Sequence, residues 1–301
     1  MKKFPYSLLF FPLYILALFC FSSCQKDISV DLPPLKNKIV VDGRIEPGLP
    51  PYVILTHNME YFGSQDQNTV QNMFIHDAVI KISNGMNAVT LIEFCSKSIP
   101  DSLIAIMSGF SGVDALILKN YNYCIYTTFD PSIFGQVGKT YSLSIESEGK
   151  TYTASTSILP PVPLDSIWWR VDKDDTLGYI WSHFADPSAE GNAYRWLAQR
   201  IGKDPAYVSY SRSVFDDKYI NGKSFDFPEG YFNKGDTVSV KFCSLDNASY
   251  KFFSSMDALA NSQGNPFAAP ASVLSNIYPQ NDALGVWCGY GVTLDTVVCK
   301  Q

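Results

Sequence analysis

The chain has 301 residues, 46% of them hydrophobic and 17% charged, with a net charge of −6. That much apolar sequence supports a packed core and excludes a globally disordered chain. The acidic balance, with no basic cluster, speaks against nucleic acid as a partner. Aromatics reach 14%, with 18 Tyr and 20 Phe, a bias toward the half-buried pleated surfaces of β-sheets.

Residues 1–23 read as a secretory signal: Met1-Lys2-Lys3 is a positive n-region, and Phe4 to Phe21 is almost wholly apolar. A retained transmembrane helix is the competing reading. It is disfavoured because the run sits near the lower limit of the ~20 residues that span a bilayer and contains Pro5 and Pro12. Phe21-Ser22-Ser23-Cys24 resembles a bacterial lipobox, which implies that Cys24 becomes the acylated N-terminus, carrying palmitate-type chains. Cys20, behind bulky Leu18 and Phe19, fits that pattern less well. One acyl chain binds a membrane only marginally, whereas two or more hold firmly. Gln25-Lys26-Asp27 resembles the export tag of surface lipoproteins in Bacteroidota.

Residues 24–36 then form a tether stiffened by Pro33-Pro34. Lys38–Ile45 and Tyr52–Thr56 read as strands, and Gly63–Asn72 as a long polar loop. Ala78–Ile82 and Val89–Phe94 flank Asn84-Gly85, a hairpin signal. Pro100–Lys119 shows no clear period and is expected to be irregular. Tyr121–Tyr126, Thr140–Ile145 and Tyr152–Thr156 alternate as strands, the last two around Glu148-Gly149-Lys150. Pro160-Pro161-Val162-Pro163 is the best linker between halves.

In the second half, Asp165–Arg170, Tyr179–Phe184, Ala193–Ala198 and Thr237–Phe242 read as strands, with a turn at Asn221-Gly222. The period then changes to helical over 246–262, with Ser244 or Asp246 as cap and Gly264 and Pro266 as the stop. Leu284–Gly291 and Thr293–Cys299 close the chain as two strands. The fold class expected is all-β: two tandem sandwich-like (Ig-like) domains, 37–160 and 164–301, with one short helix in the second.

With Cys20 and Cys24 set aside, Cys95, Cys124, Cys243, Cys288 and Cys299 remain. In an oxidising compartment an odd number leaves one unpaired. Cys95–Cys124 and Cys288–Cys299 are the expected bridges, against the alternative that all are buried thiols packing as small hydrophobes.

Chemistry is sparse. The histidines are His57, His76 and His183, and neither a zinc-protease helix nor a nucleophile elbow is present. Gly109-Phe110-Ser111-Gly112 lacks the residue between serine and glycine. Asp172-Lys173-Asp174-Asp175 with Gly178 matches a calcium loop only in part and reads as a solvated turn. No catalytic residue, metal or cofactor is expected. Trp168 and Trp169 point to opposite faces of one strand, so one is core and the other faces outward or into a contact between halves. An outward indole suits sugar stacking or a protein contact. Tyr121 and Tyr123 share a face by the same period. Triplets such as Asp101-Ser102-Leu103 and Asp236-Thr237-Val238 resemble acceptors for periplasmic O-glycosylation.

Several landmarks stand in order: Cys24–Ile28, Val40–Ile45, Gly138–Leu143, Gly149–Ala154, Phe215–Lys218, Asn221–Lys223, Gly264–Phe267, Ser275–Ile277 and Leu284-Gly285. Together they resemble the Bacteroidota lipoprotein family known as domain of unknown function 4249, over essentially the whole mature chain. Cys124, Cys243, Cys288 and Cys299 are not features associated with that family. The resemblance implies an outer-membrane, surface-facing lipoprotein. It would be non-enzymatic, an accessory or ligand-capture partner of a TonB-dependent barrel. A free-standing surface adhesin or carbohydrate-binding module is the alternative, and a hydrolase a distant third.

Overall fold

Ile39, Val41, Gly43 and Ile45 alternate with Val40, Asp42 and Arg44, and this period of two makes the first strand, β1 (Ile39–Ile45). Its even and odd faces meet different neighbours, and the whole molecule is layered accordingly. The computed structural model describes residues 37–58, 72–172, 176–262 and 272–300. The signal, Cys24 and its tether, most of the polar loop and the expected helix stop lie outside the described residues.

A long sheet of eight strands forms the middle layer. Its first half contains β1, β2 (Tyr52–His57), β5 (Ile92–Cys95) and β6 (Cys124–Thr127). Its second half contains β11 (Ala193–Arg200), β12 (Val208–Asp216) and β14 (Thr237–Leu245). The strand that joins them is β15 (Ala283–Val298), 16 residues long. Its first residues run parallel to β1, and its remainder pairs antiparallel with β14.

Two smaller sheets cover one face. β3 (Val79–Ser83), β4 (Ala88–Thr90), β7 (Thr140–Ser147) and β8 (Lys150–Ser157) form one in the order β4-β3-β7-β8. It packs on Ile39, Val41, Val53, Leu55 and Trp287. β9 (Ser166–Val171), β10 (Leu177–Ala185) and β13 (Ser224–Asn233) form the other, over Tyr194, Trp196, Val238, Val240 and Phe242. The all-β, sandwich-like class is therefore the fold, with sheet on sheet in each half.

The halves are not separable beads. Residues 37–301 make one compact unit, because β15 belongs to both sandwiches. The expected linker lies on β15: Thr293 donates to the Val162 carbonyl at 2.8 Å, and Val162 is buried. Asp246 ties the halves further. One of its carboxylate oxygens accepts from Thr156 and the Ser157 amide, the other from the Ser249 amide. It is thus the helix cap expected from sequence and a clasp on the opposite sandwich. The residues expected to bound two tandem domains instead mark a crossover from one cover sheet to the other.

Helices cover the opposite face of the long sheet. The predicted helix is present as α3 (Asn247–Ser262). Two more occupy the stretch expected to be irregular: α1 (Asp101–Ser111) and α2 (Ala115–Asn120). Ile104, Met107, Ser108 and Ser111 are buried at helical spacing, and Gly112, at φ 74°, ends α1 in the left-handed region. Exposed Leu103, Ile106, Leu116 and Ile117 blur that period in the sequence.

Candidate functional site

α1 and α2 cover one end of that face and α3 the other, and between them lies a cleft of about 600 Å³. Strand register decides what faces it. Arg44 stands opposite Tyr52 on β2 and Cys288 on β15, so all three share a face. Leu197 of β11 stands opposite Lys241 of β14, which stands opposite Leu294 of β15. The floor is thus a row of charged and aromatic side chains: Arg44, Tyr52, Arg195, Lys241 and Tyr290. Ile106 and Gly109 of α1, with Gly112 at its C-terminal cap, line it. At Gly112 an added Cβ would stand 3.5 Å from that of Ala206, which closes one end.

The charges are arranged pairwise with one exception. The Arg44 guanidinium donates to both Asp42 oxygens at 3.1 and 3.0 Å. Lys241 donates to both oxygens of Glu46 at 2.5 Å, and these side chains are only 12% and 16% exposed. Arg195 donates to the Tyr290 hydroxyl at 2.6 Å and lies 3.7 Å from the centre of the Phe253 ring. Among the described residues it forms no ion pair. Burial pushes the Tyr52 and Tyr290 phenols above their ordinary range, so both stay protonated donors. Burial likewise raises the Cys243 thiol, on the same sheet face as Arg195, to about 12 and leaves it inert.

A disulfide clips one wall. Cys95 and Cys124 stand opposite each other on β5 and β6 and are bonded, as the sequence suggested. The loop they close contains both α1 and α2. The second expected bridge is absent: Cys288 and Cys299 are both free and buried. They lie on and just beyond one unbroken strand, where eleven residues extend roughly 35 Å, far past the ~7 Å a bridge allows. The sequence reading had cut that strand in two at Val292.

The other expected contact residues divide. Trp169 is core, its indole N–H donating to the Phe232 carbonyl at 3.3 Å. Trp168 takes the outer face, stacked on Trp181 with ring centres 6.2 Å apart and planes within 13°. Tyr179 and Tyr231, 4.8 Å apart and both about two-fifths exposed, continue an aromatic strip on that sheet. Tyr121 and Tyr123 do not share a strand face, because β6 begins at Cys124. Tyr121 caps α2, and Tyr123 packs edge-on against Phe74 at 5.0 Å.

Each histidine pairs with a carboxylate: His57 with Glu148 at 3.3 Å, His76 with Glu93 at 2.6 Å and His183 with Asp226 at 2.5 Å. None lines the cleft. His76, Glu93, Cys95 and Cys124 cluster closely enough to suggest a metal site, but the disulfide removes both thiolates as ligands. Of the glycosylation triplets, Asp236 is buried against Lys203, whereas Ser102 is exposed.

The cleft residues were missed because each motif was read for chemistry rather than for face. The signal was present: Arg44 and Lys241 are the lone cations of β1 and β14, and Arg195 stands between Tyr194 and Trp196 in β11. Among the described residues no helix is long and apolar enough to cross a membrane. No curated protein matches the chain. Over residues 25–295 it matches the family model described as Domain of unknown function (DUF4249), and the chain belongs to that family.

Proposed function

We propose that this protein is a non-enzymatic ligand-capture lipoprotein, anchored in the outer membrane through Cys24, facing outward and working with a TonB-dependent barrel. The observation that carries the reading is the cleft: about 600 Å³ of space, floored by charged and phenolic groups on a rigid sheet. That size and lining suit a small-molecule site. Apart from Arg195 its charged groups are paired, and no histidine or activated nucleophile lines it, which favours binding over turnover.

Exposed Ile106, Leu116 and Ile117 on the helical wall offer an apolar surface beside the cleft for a protein partner. The lipobox-like leader supports the anchor, and the barrel partner is what the family resemblance implies. Affinity isolation of the tagged protein from native outer membrane tests this reading: a barrel should come with it.

A second reading rests on the aromatic strip of Trp168, Trp181, Tyr179 and Tyr231, which a free-standing carbohydrate-binding module would use for stacking. On that reading Trp168→Ala abolishes glycan-array binding while the melting temperature stays unchanged. Trp169→Ala is no test, since that indole is structural.

A further inference from the structure

The cleft floor holds three cations, and their partners are unequal. Asp42 neutralises Arg44 and Glu46 neutralises Lys241, each through two hydrogen bonds. Arg195 is satisfied on one nitrogen by a neutral phenol and on one face of its guanidinium by the Phe253 ring. Asp257 of α3 is the acid whose charge is felt there. Burial raises its carboxyl above the ordinary value and Arg195 draws it back down, but the two form no ion pair. A guanidinium presents five donors in a fork suited to an oxyanion. Arg195 lines the cleft with part of that fork uncommitted to any carboxylate.

The walls are of the opposite character. Leu49, Pro50, Ile106 and Leu294 line the cleft with apolar surface, and Tyr207 adds a ring. At Gly109 an added Cβ would meet nothing within 4 Å, so the α1 wall is open to an incoming body. Charge complementarity and lining together specify the occupant.

We propose that the cleft binds a small amphipathic organic anion, with its oxyanion head on Arg195 and its apolar or aromatic body between α1 and Leu294. This deepens the ligand-capture reading, and it rests on the cleft alone rather than on the barrel partner. The Lys241–Glu46 pair flanks the head group without giving up its own partner. A charge-assisted hydrogen bond in a partly desolvated site is roughly twice as strong as a neutral one, so the anion should be preferred over an isosteric neutral molecule.

The test uses the acylated full chain in lipid nanodiscs, titrated calorimetrically with 2-naphthoate and with neutral 2-naphthamide against empty nanodiscs. Saturable one-to-one binding of the naphthoate is expected, about tenfold tighter than the amide, which corresponds to ~1.4 kcal/mol. Arg195→Gln should remove that preference. Gly109→Leu, which fills open space on a helix and should keep the wild-type melting temperature, should abolish binding of both probes. Equal affinity for the two probes, unchanged binding by Gly109→Leu, or no naphthoate binding at millimolar concentration would each overturn the proposal. None of these results bears on whether a barrel co-isolates, so the two readings fail separately.

Discussion

Trp287→Ala is expected to destabilise the protein by about 3 to 5 kcal/mol, the range for deleting a fully buried large aromatic side chain. The indole is completely buried at the junction of β1, β15 and the four-stranded cover sheet. Gly43 stands opposite it on β1, and a Cβ there would fall 2.7 Å from the indole ring. The glycine is what lets the ring lie flat across the strand. Its Nε1 donates to the Tyr141 carbonyl at 2.9 Å, so truncation also leaves a buried acceptor without its donor. On the side of β15 away from β1, the Asn276 amide supplies both missing ladder bonds to Trp287, at 2.9 and 2.8 Å. Chemical denaturation reads the loss as a lower midpoint with an unchanged slope. A change below 1 kcal/mol would mean that the two sandwiches do not depend on this junction.

Replacing Cys95 and Cys124 together by Ala is expected to cost about 3.5 kcal/mol, from the chain-entropy relation for the 29-residue separation. The location of the loss matters more than its size. The closed loop carries α1 and α2, which rest on Tyr52, Ile54 and Ile125 through Ile104, Met107 and Leu118. Opening it loosens the wall of the cleft that holds Gly109 and Gly112. Hydrogen exchange should therefore accelerate over residues 96–123 and stay slow in β10, β11 and β14. Uniform acceleration across both halves would show that the disulfide holds the whole unit rather than this wall.

Most strands were legible because alternation survives wherever one face is buried and the other wet. The Glu148-Gly149 turn was legible because both residues take positive φ, at 51° and 73°, as a tight hairpin requires. α1 was hidden because, among its described large apolar side chains, Ile104 and Met107 are buried while Leu103 and Ile106 are exposed. β15 was misread because Gly289 and Gly291 resemble turn residues. They are glycines for a different reason: a Cβ at Gly291 would stand 2.1 Å from the Leu159 carbonyl oxygen. That one misreading concealed both the union of the halves and the separation of Cys288 from Cys299. The cleft was illegible for a related reason. Its residues come from β1, β2, β11, β12, β14, β15 and α1, and the parallel pairing of the first and last strands is what brings them together.

The most direct test of the ligand-capture account is quantitative affinity isolation of tagged protein from native outer membrane in mild detergent, with mass spectrometry of what accompanies it. The account predicts one outer-membrane barrel of the TonB-dependent kind, near one-to-one, retained by the wild type. Recovery of the lipoprotein alone, at full yield and correctly anchored, would contradict it.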